Sequence, residues 1–255
     1  MSSDHALVLH REVPPHPMAR CSLADGRCGR LGRPCRSGQC AARRIRRLHD
    51  RRWRDKLGLF FVEGEDAVAA ASAEPVDLLR AGEEVEPRLL AEVASAPHPP
   101  RVIAVYRRED LPGAEQRDTT LALWRIADPG NVGTLLRTAD AFGAAVALSD
   151  GCADPTSPKA LRASAGSIWR VPVGDWACVD STQTRVALVA HGGSPLGSLD
   201  LTGRVAFLLG AEREGLPAEV ERDVDAWIPI AGAESLNVAV SGAIALYERR
   251  RQRGG

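Results

Sequence analysis

Residues 121–143 open on the apolar run Leu121-Ala122-Leu123-Trp124 and pass through Arg125-Ile126-Ala127 into Asp128-Pro129-Gly130-Asn131-Val132-Gly133. The stretch Thr134-Leu135-Leu136-Arg137-Thr138-Ala139-Asp140-Ala141-Phe142-Gly143 follows. The first four residues read as a buried strand. From Val132 onward the period changes: Val132, Leu135, Leu136, Ala139 and Phe142 fall on one helical face, and Gly143 supplies the stop. A strand running through a glycine-rich turn into a helix is half of a parallel α/β unit, and such sheets bind ligands at the carboxyl ends of their strands. The turn is neither G-x-G-x-x-G nor G-x-x-x-x-G-K-[ST], so the usual dinucleotide and phosphate loops are not indicated. Arg137 stands four residues after Gly133 and shares its helix face. Helical side chains lean toward the N-terminus, which would carry Arg137 over a position without a side chain and toward the ligand edge. The alternative is a surface arginine on an amphipathic helix.

Outward from this element the pattern repeats. Further apolar runs occur at 145–149, 186–190, 205–210 and 226–230, beside 120–126. Most are continuous rather than alternating, as in a parallel sheet covered on both faces. Residues 119–255 therefore read as a doubly wound α/β domain. Two of its strands end in distinctive loops. Val205–Leu209 leads to Gly210-Ala211-Glu212-Arg213-Glu214-Gly215-Leu216-Pro217, and Trp227-Ile228-Pro229-Ile230 leads over a short loop to Ser235-Leu236-Asn237. Pro229 assigns its strand to an edge or a ligand-lining position. Ser235 reads as the N-cap of a last helix whose apolar stripe is Val240, Ile244 and Tyr247. Each loop alone is also a plain turn or cap.

The N-terminal part differs. Residues 41–57 read as one basic helix, and strands and short helices alternate from there to 110, a small α/β module. Residues 111–118 read as a linker. Residues 1–40, rich in Pro, Gly, Arg and Cys, read as a disordered extension. The chain is formally neutral, yet residues 1–56 carry 14 Lys+Arg against 5 Asp+Glu. A basic leading part on an acidic body suits a partner with phosphates, or is simply solvated. Cys21, Cys28, Cys35 and Cys40 are separated by six, six and four residues, a poor match to structural zinc spacing, and read as free thiols. No metal is implied. No apolar run is long enough to span a membrane, and no signal-peptide pattern is present, so a cytoplasmic location is expected.

Three motifs, in order, resemble the SpoU (TrmH-type) branch of the SPOUT methyltransferases. They are Asn131-x-Gly133-x-x-x-Arg137-Thr138-Ala139, then Gly210-x-Glu212-x-x-Gly215-Leu216, then Ile228-Pro229 with Ser235-Leu236-Asn237-Val238. The stretch from Asp150 through Lys159 to Ser167 is similar as well, and Phe61-Val62-Glu63-Gly64 resembles the family's ribosomal-protein-like module. The resemblance covers about residues 41–253.

The resemblance implies an α/β C-terminal domain with a deep trefoil knot, a parallel sheet with helices on both faces, preceded at 41–110 by an RNA substrate-binding domain. Knots are almost absent from proteins, and nothing in the hydrophobic pattern indicates one. The implied activity is methyl transfer from S-adenosylmethionine to a ribose 2′-hydroxyl of structured RNA, with rRNA favoured over tRNA, by a homodimer paired through the C-terminal domain. Implied catalytic residues are Arg137, Asn131, Glu212, Ser235 and Asn237. Leu209, Gly210, Gly215, Ile228, Ile230, Leu236 and Val238 are implied to hold the cofactor. The competing readings are a catalytically silent RNA-binding relative and an unknotted nucleotide-binding enzyme; the latter lacks the glycine fingerprint.

Overall fold

In this computed structural model the described residues are 38–96 and 98–254, together with two paired two-residue strands, Arg27–Cys28 and Arg33–Pro34. Most of the expected extension, with Cys21 and Cys35, lies outside the described residues. Residues 38–40 do not belong to it, because they begin the first helix. Cys40 is disulfide-bonded, so the expectation of free thiols fails there. Residues from Ser37 to Gly255 form one unit.

The basic segment forms two helices rather than one, α1 (Gly38–Leu48) and α2 (Arg51–Leu57). Asp50 breaks the run: it takes an extended backbone and its carboxylate accepts from Arg52 N, starting α2 afresh. The small sheet follows as β1 (Leu59–Glu63), β2 (Asp77–Arg80) and β3 (Val102–Arg107), antiparallel in the order β1-β3-β2. The short helices α3 (Glu65–Ala69) and α4 (Pro87–Val93) connect them. Ile45 and Leu48 of α1 pack with Phe61, Leu79, Leu90 and Ile103 in a core of their own.

The large sheet has seven parallel strands, two more than the apolar runs indicated. They are β4 (Thr119–Leu123), β5 (Ala145–Leu148), β6 (Val173–Asp175), β7 (Thr184–Leu188), β8 (Ser194–Pro195), β9 (Val205–Leu209) and β10 (Val224–Trp227). Their order is β8-β10-β7-β9-β4-β5-β6. The additional strands, β6 and β8, have three and two residues and sit at the two edges, too short to carry a hydrophobic period. The strand with the proline motif is not an edge: β10 lies inside the sheet and ends at Trp227, so Pro229 falls beyond its ladder. Alternate residues of the central strands divide between two faces. Leu121, Leu123, Phe207 and Leu209 meet α5 (Pro129–Phe142) and α7 (Val238–Gln252), while Ala122, Ala147, Ala187, Ala206 and Leu208 lie under Trp124, Trp176, Val179 and Leu216. A Cβ on Gly242 of α7 would stand 2.6 Å from Leu135 Cδ2, which is why a glycine lets α7 settle against α5. The buried residues of α7 are Ala239, Gly242, Ala245, Leu246 and Arg249. Of the expected stripe, Val240 and Tyr247 face outward, 46% and 61% exposed, while Ile244 is half-buried against the core.

The small and large sheets share a core. Phe60 and Tyr106 stack on Trp169, with ring centroids 5.6 and 4.8 Å away. Two polar latches add to this. Asp154 accepts from Arg54 Nε (2.7 Å), Arg108 Nη2 (2.8 Å) and Thr156, and Glu63 pairs with Arg162 of α6 (Pro158–Ser164) at 3.0 Å. Glu63, part of a motif resembling a substrate-binding module, therefore has a structural partner.

Candidate active site

Three chain segments meet at the carboxyl edge of β9 and β4. The first is the opening turn of α5. Asp128 caps it by accepting from Gly130 N (2.6 Å) and Asn131 N (3.1 Å), and its other oxygen takes Lys159 Nζ at 2.8 Å. The Lys159 hydrogen bond and then the two amide N–H groups hold the Asp128 carboxyl below its ordinary range. The cap fixes Asn131 at the start of the helix. The second segment is the loop Gly210–Leu216, which folds back so that Gly215 N donates to Ala211 O at 2.9 Å. A Cβ on Gly210 would lie 2.2 Å from the Gly215 carbonyl carbon, so the returning backbone requires glycine there. Gly215 makes the return with φ +68°. The third segment enters α7. Its N-cap is Asn237, not Ser235: Asn237 Oδ1 accepts from Ala239 N (2.9 Å) and Val240 N (3.3 Å). Both residue types cap well, so propensity could not choose between them.

The three segments are tied by side-chain amides. Asn131 Nδ2 donates to Glu212 Oε1 at 2.8 Å, and Asn237 Nδ2 donates to Asn131 Oδ1 at 3.1 Å. A carboxylate only accepts, and the helix N–H groups only donate, so both amide orientations are determined by the network. Asn131, Glu212 and Asn237, expected as site residues, are thus one relay. Ser235 is exposed beside it.

Behind the relay lies a cleft of about 660 Å³. All seven residues expected at the cofactor, Leu209, Gly210, Gly215, Ile228, Ile230, Leu236 and Val238, line it, as do Glu212, Ser235 and Asn237. Leu188, the last residue of β7, and Val189-Ala190-His191 beyond it also line it and were missed in the sequence. Their signal was the pair Gly192-Gly193 just past an apolar run, the same kind of strand-end turn as at Gly210. Arg137 is exposed and makes no hydrogen bond or ion pair among the described residues. The role given to Gly133 needs correction. A Cβ there would stand 2.3 Å from Ala160 O and 2.6 Å from Ala163 Cβ, so Gly133 admits α6 against α5 and does not clear a path for Arg137.

Residues 118–247 match the model of the SpoU rRNA Methylase family. The chain belongs to that family. It is similar to the 23S rRNA (guanosine(2553)-2′-O)-methyltransferase RlmP of Bacillus subtilis, with 31% identity over 80% of this chain and 94% of that one. Among solved structures, it resembles the AdoMet-bound rRNA methyltransferase from Sinorhizobium meliloti, with TM-score 0.73 and 29% identity over 83% of this chain and 94% of that one. It also resembles the SpoU methyltransferase AviRb from Streptomyces viridochromogenes in complex with AdoMet, with TM-score 0.73 and 27% identity over 84% and 98%. SpoU membership implies the trefoil knot of the SPOUT fold and sets aside the unknotted nucleotide-binding enzyme. The cleft fits the cofactor of these SpoU structures. Its volume is that of a small-molecule site, its walls include Leu209, Ile228 and Leu236, and the turned-back loop from Gly210 to Gly215 forms part of its lining.

Proposed function

We propose that this protein transfers a methyl group from S-adenosylmethionine to the 2′-hydroxyl of a ribose in ribosomal RNA. The observation that carries the proposal is the placement of the Asn131–Glu212–Asn237 relay on the rim of a cleft lined by all seven expected cofactor residues. The cofactor supplies an electrophilic methyl group on a sulfonium whose departure leaves a neutral thioether. Leu209, Gly210, Gly215, Ile228, Ile230, Leu236 and Val238 hold it, chiefly through backbone groups and apolar contact. The remaining task is to place a weakly nucleophilic hydroxyl in line. The Asn131 amide is locked by two partners and so presents a fixed edge to the acceptor. The guanidinium of Arg137 offers donors and no acceptor, so Arg137 is not the group that takes the hydroxyl proton. Arg137 binds a phosphate beside the acceptor and holds the ribose, and the hydroxyl proton leaves to a phosphate oxygen or to water as the new O–C bond forms and the S–C bond breaks. Ser235 adds a hydroxyl at the mouth of the cleft.

Residues 41–110 supply the RNA-holding module, latched to the catalytic sheet through Arg54–Asp154 and Glu63–Arg162. The exposed Val240 and Tyr247 of α7 pair two copies as a homodimer. Among the described residues no helix is long and apolar enough to cross a membrane. A reaction on ribosomal RNA supports a cytoplasmic location.

The test is incubation of the purified protein with methyl-labelled S-adenosylmethionine and unmodified 23S rRNA transcript, followed by mapping of alkali-resistant linkages. One new 2′-O-methylated position is the expected result. Label on a base would overturn the ribose assignment, and label on tRNA but not on 23S rRNA would favour the tRNA alternative. Cofactor binding with no transfer to either RNA would favour a silent binding protein.

A further inference from the structure

Two non-glycine residues among those described have positive φ, Ala165 at +47° and Arg125 at +53°. Ala165 closes α6 as a left-handed C-cap, an ordinary place for that conformation. Arg125 ends no helix. It lies two residues beyond β4 on the carboxyl edge of the sheet. For a residue with a Cβ the left-handed region is strained, and such outliers gather at functional sites. The backbone is held there by Arg125 N donating to Ser149 Oγ at 2.9 Å. The side chain lies across Gly151, where a Cβ would be 3.3 Å from Arg125 Cγ and 3.4 Å from Nε. What the strained turn delivers is an exposed guanidinium with no hydrogen bond or ion pair among the described residues.

Beside it, at the ends of β5 and β6, is a second cavity of about 560 Å³. Leu111, Pro112 and Val173 give it apolar walls, and Asp150 and Asp175 give it acceptors. Arg108 also lines it, and the buried Nε of that side chain has no hydrogen-bond partner. Apolar walls with carboxylate acceptors and the arginines Arg51 and Arg108 among the lining suit a planar ligand with apolar faces and polar edges, which is a nucleobase. The order along the edge matters. The cofactor cleft takes the ends of β7 and β9, the new cavity those of β5 and β6, and β4 with Arg125 stands between them. Neighbouring strands are about 4.8 Å apart, so β9 and β5 are separated by about 10 Å, a short step along an unstacked strand.

We infer that Arg125 and this cavity form a subsite for the nucleotide adjoining the methylated one, with Arg125 on its phosphate and the cavity around its base. The inference rests on the reading of the protein as an RNA ribose methyltransferase. Arg125 is a positioning residue: it fixes the register of the RNA, as phosphate contacts do. The cavity contributes preference for the neighbouring base.

Arg125→Gly tests the phosphate contact, because glycine adopts φ +53° freely and the fold is kept. The melting temperature should stay or rise. KM for unmodified 23S rRNA transcript should rise about tenfold while kcat and S-adenosylmethionine affinity stay within about twofold, and the salt dependence of RNA affinity should flatten by about 0.7 in log–log slope. Arg125→Lys should recover much of the loss. The cavity is tested through Cys178, an exposed free thiol on its wall. Alkylation of its peptide by N-ethylmaleimide, followed by mass spectrometry, should be slowed by the RNA and not by the cofactor alone. An unchanged KM and salt slope would remove the phosphate contact, and an unprotected Cys178 would remove the base cavity. Both readings presuppose a wild-type protein that methylates the RNA. If it does not, the proposed function fails first.

Discussion

Replacing Asn131 tests the relay at its centre. Asn131→Ala removes a hydrogen bond to the Glu212 carboxylate and one from the Asn237 amide. A hydrogen bond to a charged group contributes about 1.5–3 kcal/mol and one between neutral groups about 0.5–1.5 kcal/mol. Both are partly exposed here, so the lower end applies, about 2 kcal/mol together, or roughly a thirtyfold loss of single-turnover methyl transfer. Asn131→Asp is the more informative change. It keeps the shape but replaces the donor facing Glu212 with an acceptor, putting two carboxylates where a 2.8 Å hydrogen bond had been. Like charges near 4 Å repel by about 4 kcal/mol at an effective dielectric of 20, less where water screens them. At pH 8 the aspartate variant should therefore be at least as slow as the alanine variant. A proton shared by the two carboxyls in acid restores a donor toward Glu212. The aspartate variant should regain activity, relative to wild type, between pH 8 and pH 5, and the alanine variant should not. The assay is transfer of labelled methyl to unmodified 23S rRNA transcript at saturating enzyme, with cofactor titration alongside. Wild-type rates for Asn131→Asp at pH 8, or identical pH profiles for the two variants, would refute the reasoning.

Arg137→Ala should lower methyl transfer by about a hundredfold or more while melting temperature and cofactor affinity stay near wild type, because the side chain is exposed and, in the proposed mechanism, holds the acceptor. Arg137→Lys should fail as well, since a point charge does not reproduce a planar fork, and near-wild-type turnover in either variant would sink the assignment. Asp154→Asn leaves the buried Arg54 without its carboxylate and should cost about 3–5 kcal/mol, read as a fall in melting temperature of about 6–20 °C. Burial pushes the Asp154 carboxyl up, but Thr156 and the two guanidiniums more than offset it and hold its pKa below 3.8. That stabilisation is present in full above about pH 4 and is lost as pH falls through the depressed native value. The gap between wild type and variant should therefore close in acid, and a gap independent of pH would contradict the charge argument. Tyr247→Glu should turn the proposed dimer into a monomer by light scattering, and an unchanged mass would overturn the proposed α7 contact.

The elements legible in the sequence were those whose residues answer to local physics. Continuous apolar runs located five strands of the large sheet, and the helical period from Val132 to Phe142 located α5 with its left-handed stop at Gly143. What periodicity missed was either too short, as β6 and β8, or decided by a competing local bond. The basic segment carries an almost unbroken helical pattern, yet Asp50 capping and the pull of Arg54 on the Leu48 and His49 carbonyls divide it. Gly133 shows the limit differently. Its spacing from Arg137 suggested a gap kept open for a ligand, but the space is filled by the α6 backbone, a neighbour no local pattern names. The knot is of the same kind, since it belongs to the threading of the chain and leaves no trace in composition or period.

The candidate site residues were singled out through their motifs, but what joins them was not visible. Asn131 lies 81 positions from Glu212 and 106 from Asn237. The identity of Asn237 shows why the relay takes the residues it does. Serine, aspartate and asparagine all cap helices about equally well, so capping alone does not select asparagine. Here the same side chain must accept from Ala239 N and Val240 N and also donate to Asn131 Oδ1. Aspartate has no donor when ionised. Serine has a single short hydroxyl, which cannot span both directions. Asparagine carries an acceptor and a donor on opposite arms of one rigid amide. Asn131 faces the same demand between a carboxylate and an amide, and meets it the same way. The two helix starts are thereby locked to each other and to the Gly210–Gly215 loop by groups that also anchor the helices. The edge offered to a bound ribose is then as rigid as the sheet beneath it, which is the condition for holding a hydroxyl in line without a strong base.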